Sequence, residues 1–194
     1  MPIKTLVILV SKWAALVFWI ALGGLRLVEA WQNALIIPAL LAAQSALIAW
    51  LLITRSPQAV EAPWPQKVIA WASALLPLAM RVHRETLVGQ VITGLGLLLV
   101  LWALGTLGRS FGIAPADRGL VKDGPYRLVR HPMYLGELIS LAGAVTGDPT
   151  TWNVVLMLVL LLSLLLRIRW EERAVFNYEA YAGRVRWRLI PGIW

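Results

Sequence analysis

Cysteine is absent from this 194-residue sequence, and histidine occurs only twice. The first absence excludes disulfides, thiolate metal sites and thiol nucleophiles, and leaves the redox compartment unmarked. Two histidines are too few for a conventional histidine-rich centre, so no metal is expected. Charge is scarce too, at 14% of residues against 59% hydrophobic, with a mean hydropathy of +0.72. Ordinary soluble domains carry about 25% charged residues, so a soluble single domain is excluded as a description of this chain. What is present instead is a series of apolar runs, several near the roughly 20 residues that cross a hydrocarbon layer about 30 Å thick as helices. The expectation is an all-α, polytopic integral membrane protein.

The first run covers about residues 5–25, interrupted by Ser11 and Lys12. A basic start followed by an apolar stretch also fits a secretory signal. No good small-x-small cleavage site follows, however, and Arg26 stands where one would be needed, so a retained helix is expected. The run from Ala34 to Ile53 contains Gln44 and has Trp31 and Trp50 near its ends, placed as interfacial aromatics. Pro57, Pro63 and Pro65 then stop helix formation. Residues 67–80 are apolar but short and carry Pro77, which fits a short span, a re-entrant piece or an interfacial helix. His83, Arg84 and Glu85 read as an interfacial flank. Leu87 to Leu107 is a clear span, with Gly89, Thr93, Gly94 and Gly96 suited to close helix packing. Pro132–Thr146 and Thr151–Leu166 read as a terminal helical hairpin turned at Gly147, Asp148 and Pro149. This makes about five transmembrane helices, or six if residues 67–80 cross.

The net charge of +8 is distributed unevenly, with 11 of the 18 basic residues in 109–133 and from 167 to the C-terminus. Charge flanking apolar spans reports orientation by the positive-inside rule, so no nucleic-acid partner is expected. The hairpin tip holds one acid and no base while both hairpin ends are strongly basic, which turns the tip away from the cytoplasm. Five spans would leave Arg55 and Lys67 on the tip side; six would move them to the basic side. The chain divides into N-terminal transmembrane helices (1–108) and a C-terminal region carrying the chemistry (109–194).

That chemistry concentrates between Gly119 and Glu137. Gly124-Pro125 marks a turn, and Pro132 biases His131 out of helix while suiting the first helical position. His131 is therefore expected at a helix N-terminus, where free backbone N–H groups, Arg130 and the imidazole would form an anion site. Glu137 lies about 1.5 turns further in, and an acid inside the membrane is expensive. A second cluster, Arg167, Arg169, Glu171, Glu172 and Arg173, ends the long leucine-rich run. Arg167 and Glu171 are four residues apart and share a helix face. As both clusters sit at the open end of one hairpin, they converge on one membrane face and build a polar pocket. The bland alternative for each is an interfacial charge or a helix-surface ion pair. Gly105, Gly108 and Gly112 form no nucleotide fingerprint, because no strand–helix alternation surrounds them. Tyr178, Tyr181, Trp187 and Trp194 are expected in an amphipathic segment folded back on the membrane surface.

With Leu120-Val121, Gly124-Pro125-Tyr126, Arg130-His131-Pro132-Met133-Tyr134-Leu135-Gly136, Arg167 through Glu172, Tyr178, Tyr181 and Pro191 in this order, the chain resembles the isoprenylcysteine carboxyl methyltransferase family and its relatives, the membrane phospholipid methyltransferases. The likeness covers roughly the last 85 residues. It implies S-adenosylmethionine as methyl donor, with S-adenosylhomocysteine as product. The implied cofactor-binding residues are Arg118, Gly119, Leu120, Val121, Tyr126, Arg130, His131, Pro132, Met133, Tyr134 and Glu171. Arg118 departs from the residue expected at the start of that segment, so contact there would be through backbone. Arg167 would bind the methyl acceptor, making Arg167 and Glu171 the expected catalytic pair. The donor's sulfonium and ammonium suit Glu171, and its carboxylate suits the His131 corner.

The implied acceptor is a lipid or lipidated molecule reaching the site from the bilayer: the carboxylate of a prenylated cysteine first, a phospholipid amine second. An NADPH-dependent sterol-type reductase is a third reading, since those enzymes resemble this chain in a similar Arg-His-Pro-x-Tyr hairpin; the chain is short for that class. A non-catalytic scaffold or small transporter is a fourth. The implied setting is a prokaryotic plasma membrane or endoplasmic reticulum, with the cofactor site facing the cytoplasm.

Overall fold

The computed structural model describes residues 3–57, 62–84 and 86–194, with side chains from residue 11 onward. Glu85 lies outside the described residues. Among the described residues seven α-helices follow one another: α1 (Ile3–Asn33), α2 (Ile36–Thr54), α3 (Trp64–Leu75), α4 (Leu87–Leu107), α5 (Pro132–Gly147), α6 (Thr151–Ala174) and α7 (Tyr178–Arg184). No strand occurs among the described residues. Four of the helices are long and apolar enough to cross a membrane: α1 from Ser11, α2, α4 with the 3₁₀ turn after it, and α6. The chain is an integral membrane protein of all-α type.

Local chemistry sets the boundaries. The Thr86 hydroxyl accepts from the Gly89 N–H at 3.1 Å and starts α4; Thr150 does the same for α6, accepting from Asn153 N–H at 3.2 Å. Gly108, at φ +51°, ends α4 in a conformation that favours glycine. Pro132 is the first residue of α5 and His131 its N-cap, as the sequence predicts. The α5–α6 hairpin is also as expected, but α6 runs on past Leu166 to Ala174, so the charged cluster lies on the helix itself.

The buried residues of α6 (Asn153, Leu156, Leu160, Leu164, Arg167 and Ile168) follow one another three or four positions apart along one side, with Arg167 and Ile168 adjacent at its end, so Arg167 extends an inward-facing stripe. Val155, Leu158, Val159 and Leu162 are exposed on the other side, where lipid would lie. Because lipid tails are as apolar as leucine, packing rather than transfer from water must hold such helices together. The α4–α5 pair achieves this with small residues. A Cβ on Gly96 would collide with the Ser140 backbone N and lie 2.7 Å from Gly136 O; one on Gly143 would strike Thr93 N and lie 2.7 Å from Gly89 O. The Thr93 hydroxyl adds a hydrogen bond to Ser140 O at 3.1 Å. Gly94, expected on the same face, points elsewhere, with only Ile37 Cδ1 at 3.7 Å from where its Cβ would be. Gly96→Val is therefore expected to lower the stability of detergent-purified protein by about 1–3 kcal/mol or more, read as a fall in melting temperature. Gly94→Val, with room for its side chain, should leave the melting temperature within a degree or two of wild type.

The ambiguous segment 67–80 crosses from one end of the bundle to the other. At its start, Lys67 lines a cavity with Arg55 and Arg118. Beyond its end, the Ala79 carbonyl accepts from Trp152 Nε1 at 2.9 Å and the His83 N–H donates to Asp148 at 2.8 Å, both at the hairpin tip. α3 and a 3₁₀ turn over Leu76–Ala79 make this passage with too few helical residues to look like a span. At 16 residues, α5 is likewise below span length. Consequently the start of the span in α1 and the ends of α2, α4 and α6 share one end of the bundle with His131. Ser56 N–H donating to Arg109 O at 2.8 Å ties two of them together there.

Candidate functional site

A pocket at this end is walled by residues 107–121, the N-terminus of α5, the last turn of α6 and α7. Ten of the residues singled out in the sequence line it: Arg118, Gly119, Leu120, Val121, Tyr126, Arg130, His131, Met133, Tyr134 and Glu171. Pro132 does not; it is fully buried behind the helix start. Arg167 does not line it either, and instead faces a second, smaller cavity. Residues not foreseen as pocket lining include Ser110, Gly112, Pro115, Val175, Tyr178 and Tyr181.

The local sequence explains the arrangement. The glycine at 112 leaves room for the Arg118 guanidinium, which a Cβ there would strike. Gly119 adopts φ +95°, a backbone conformation that other residues rarely take, as the chain turns along the wall. Its N–H donates to Asp117 Oδ1 at 3.1 Å, while Asp117 Oδ2 accepts from Phe176 N–H at 3.1 Å, joining this loop to the segment after α6.

Glu171 is the one carboxylate in the lining, with a side chain 24% exposed. The Tyr134 hydroxyl donates to its Oε1. Arg167 Nη2 is 3.8 Å from the same oxygen and His131 Nδ1 is 3.9 Å from Oε2. Arg167 is no helix-surface pair. Only 3% exposed, it donates to Ser73 Oγ at 3.0 Å and to Ile113 O at 2.8 Å, and its guanidinium lies 4.8 Å from the Tyr134 ring centre. The Tyr134 ring in turn stacks on His131, 5.7 Å between centres and 4° between planes. One chain of contacts thus runs from the His131 corner through Tyr134 and Glu171 to Arg167.

Glu172, which sequence reading gave no role of its own, is the hub of the charge network. It accepts from Arg130 Nη1 at 3.0 Å and from Arg188 Nε at 3.0 Å on both oxygens, and lies 3.4 Å from His131 Nε2 and from the Tyr178 hydroxyl. Arg130 is fully engaged: its Nε and Nη2 also donate to Val185 O at 2.8 Å and Arg186 O at 2.9 Å. The backbone N–H groups of Arg130 and His131 donate to Trp187 O and Arg188 O. The anion site expected at this corner is thus partly spent on holding the C-terminal segment. A signal for Glu172 existed in the sequence, an acid beside Glu171 with three arginines near the C-terminus, but nothing indicated which acid each arginine would choose.

One side of that segment packs against the pocket, while Phe176, Ile190 and Ile193 stay exposed. Tyr181 is 2% exposed and donates to Tyr126 O at 2.7 Å. Tyr178 lines the pocket beside it, ring edge to ring face at 5.5 Å. Burial, with Glu171 nearby, holds the Tyr126 phenol well above its ordinary range; burial and Glu172 do the same for Tyr178, and burial pushes Tyr181 up to about 12. All three remain neutral hydrogen-bonding aromatics at physiological pH.

The second cavity is lined by Trp19, Gln44, Ile48, Val100, Glu137 and Arg167, among others, and shares Met133 with the first. Trp19 Nε1, Gln44 Oε1 and Arg167 Nε are buried without a hydrogen-bond partner. Three of these polar groups therefore converge on one small space. Trp19 and Gln44 come from α1 and α2, whose apolar runs carry no sign of a site.

Residues 85–182, half of the chain, match the family model described as phospholipid methyltransferase. No curated protein and no solved structure matches the chain.

Proposed function

Because this chain belongs to the phospholipid methyltransferase family, and so is a membrane methyltransferase acting on lipid-like substrates, we propose that it methylates the carboxylate of a lipid-borne acceptor, a prenylated cysteine or similar, using S-adenosylmethionine. That donor, which the family generally uses, supplies an electrophilic methyl group on a sulfonium. The pocket's chemistry suits it: one carboxylate, Glu171, among four tyrosines for a cationic centre, and Arg118 with His131 for a carboxylate. The pocket encloses about 110 Å³, below the roughly 300 Å³ at which drug-sized sites begin. A nucleoside-sized ligand would therefore need the pocket to widen on binding.

Glu171, held by the Tyr134 hydroxyl, would serve the donor's positive groups. Arg167, on the far side of Tyr134, orients the acceptor. An acceptor carboxylate with an ordinary pKa of about 4 is ionised at neutral pH and needs no general base, so positioning and exclusion of water are the work left for the protein. The observation that carries the carboxylate reading is the Arg167 guanidinium, whose Nε is buried without a partner beside the second cavity. A second reading, methylation of a phospholipid amine, is favoured by Glu137 in the same cavity, where it would take the proton an amine must lose. Residues 109–194 would carry the catalytic groups, with Trp19 and Gln44 of 1–108 completing the acceptor wall. By the positive-inside rule the cofactor end faces the cytoplasm.

Calorimetry with S-adenosylhomocysteine tests the donor. Wild type is expected to bind, and Glu171→Gln to bind about 10- to 100-fold more weakly, the value of a charge-assisted hydrogen bond. Absence of heat at millimolar ligand would overturn the reading. Mass spectrometry of membrane lipids incubated with labelled donor then separates the acceptors: a base-labile methyl ester supports the carboxylate, a base-stable methylamine the amine.

A further inference from the structure

Three buried side-chain atoms without a hydrogen-bond partner, Trp19 Nε1, Gln44 Oε1 and Arg167 Nε, belong to residues that line the second cavity. Trp19 is 5% exposed and Arg167 3%, so neither is open to bulk water. Buried polar atoms left unpaired are costly, and a space lined by them is filled by water or by a ligand. At about 40 Å³ this one holds a few non-hydrogen atoms and no hydrocarbon tail. Two observations favour a ligand. Met133 lines both this cavity and the pocket proposed for the methyl donor, so the space abuts the place from which a methyl group would come. Arg167 also lies against the Tyr134 ring, whose hydroxyl holds Glu171 in that pocket. The other two groups stand on α1 and α2, outside the family match at 85–182.

The direction of each missing bond fixes the chemistry. Trp19 Nε1 and Arg167 Nε can only donate, and Gln44 Oε1 can only accept. A head that satisfies all three offers two oxygens and one polar hydrogen, which a carboxylate with a neighbouring amide does. We propose that the second cavity selects lipid-borne carboxylates that carry an amide on the adjoining carbon: the carboxylate accepts from Arg167 Nε, the amide carbonyl accepts from Trp19 Nε1, and the amide N–H donates to Gln44 Oε1. Trp19 and Gln44 are then specificity-determining residues, and α1 and α2 choose the acceptor that the hairpin methylates. A plain fatty acid, with no hydrogen to give, leaves Gln44 Oε1 unpaired. Apart from the Glu137 carboxyl the rest of the wall is apolar, with Ile48, Val100, Leu104 and Phe111. This selectivity rests on the carboxylate reading above and names the acceptor's head.

Two lipids with the same prenylthio tail test it on full-length protein in detergent: an N-acetylated prenylcysteine, and its analogue with an ester oxygen in place of the amide N–H. Wild type is expected to methylate the amide with kcat/KM about 10- to 100-fold above the ester, a comparison that needs no variant. Gln44→Met, of similar length, should bring the two lipids to near equality. Trp19→Phe, which keeps a ring and loses the N–H, should raise KM for both lipids and preserve the preference. Both variants should keep wild-type affinity for S-adenosylhomocysteine, which also shows that they fold. Equal turnover of the two lipids by wild type would overturn the proposal and leave carboxyl methylation standing, the three atoms then holding water only. A preference that persists in Gln44→Met would overturn it too. No turnover of either lipid by protein that binds S-adenosylhomocysteine would instead overturn the carboxylate reading, and the proposal with it.

Discussion

Arg167→Leu is expected to abolish detectable methyl transfer, and Arg167→Lys to reduce it at least tenfold with the fold intact. The side chain is 3% exposed and reaches three segments: Ser73 of α3, Ile113 of the loop after α4, and Tyr134 of α5. Leucine would leave Glu171 without its neighbouring cation and Ile113 O without its donor, a break that costs about 3–5 kcal/mol when buried. Loss of an acceptor-orienting donor adds about 10²- to 10³-fold in turnover. Lysine keeps the charge but has one ammonium where arginine has a planar fork, so it cannot serve Ser73 and Ile113 together. Turnover and S-adenosylhomocysteine affinity measured on the same samples separate the roles: the lysine variant should hold the ligand within a few-fold of wild type. Wild-type kcat/KM for Arg167→Lys would sink the acceptor role.

Glu172→Gln is expected to release the C-terminal segment. The substitution preserves shape and removes the charge that two arginines share, Arg130 at 10% exposure and Arg188 at 34%. Breaking so enclosed a network costs about 3–5 kcal/mol, and the pocket wall formed by Tyr178 and Tyr181 depends on it. Limited proteolysis followed by mass spectrometry should show residues 185–194 cleaved many times faster than in wild type, with S-adenosylhomocysteine affinity reduced in parallel. Glu171→Gln, one residue away, should weaken the ligand without exposing the tail. If both variants behaved alike in proteolysis, the division of labour between the two acids would be wrong.

The contrast between those acids also marks how far sequence could carry the site. Residue order placed the His131-Pro132 corner and the Arg167–Glu171 pair at one end of a hairpin, and ten of the expected residues do line one pocket. Helical spacing could not say which of two adjacent acids turns inward and which meets the tail, because that choice rests on Arg130 and Arg188 arriving from 42 and 16 residues away. Fold showed the same pattern. Long apolar runs were legible as α2, α4 and α6, whereas the crossing by α3 and a 3₁₀ turn was only one of three readings of residues 67–80, since packing against α6 rather than length holds it in place. Gln44 looked like a blemish in a clean span, and only its neighbours Trp19 and Arg167 give it meaning.

The hairpin tip has a consequence for motion. There Asn153, wholly buried, donates to Arg81 O and Asp148 O and accepts from Arg81 N–H, while Trp152 and Asp148 fasten the chain before α4. The opposite end holds all three cavities described above. The bonds at the tip pin the start of α6 to the chain before α4, so any flexing of the hairpin would pivot about this point. Passage of a lipid between helices would then require no separation of the bundle, only flexing about a fixed hinge 20 residues or so from the chemistry.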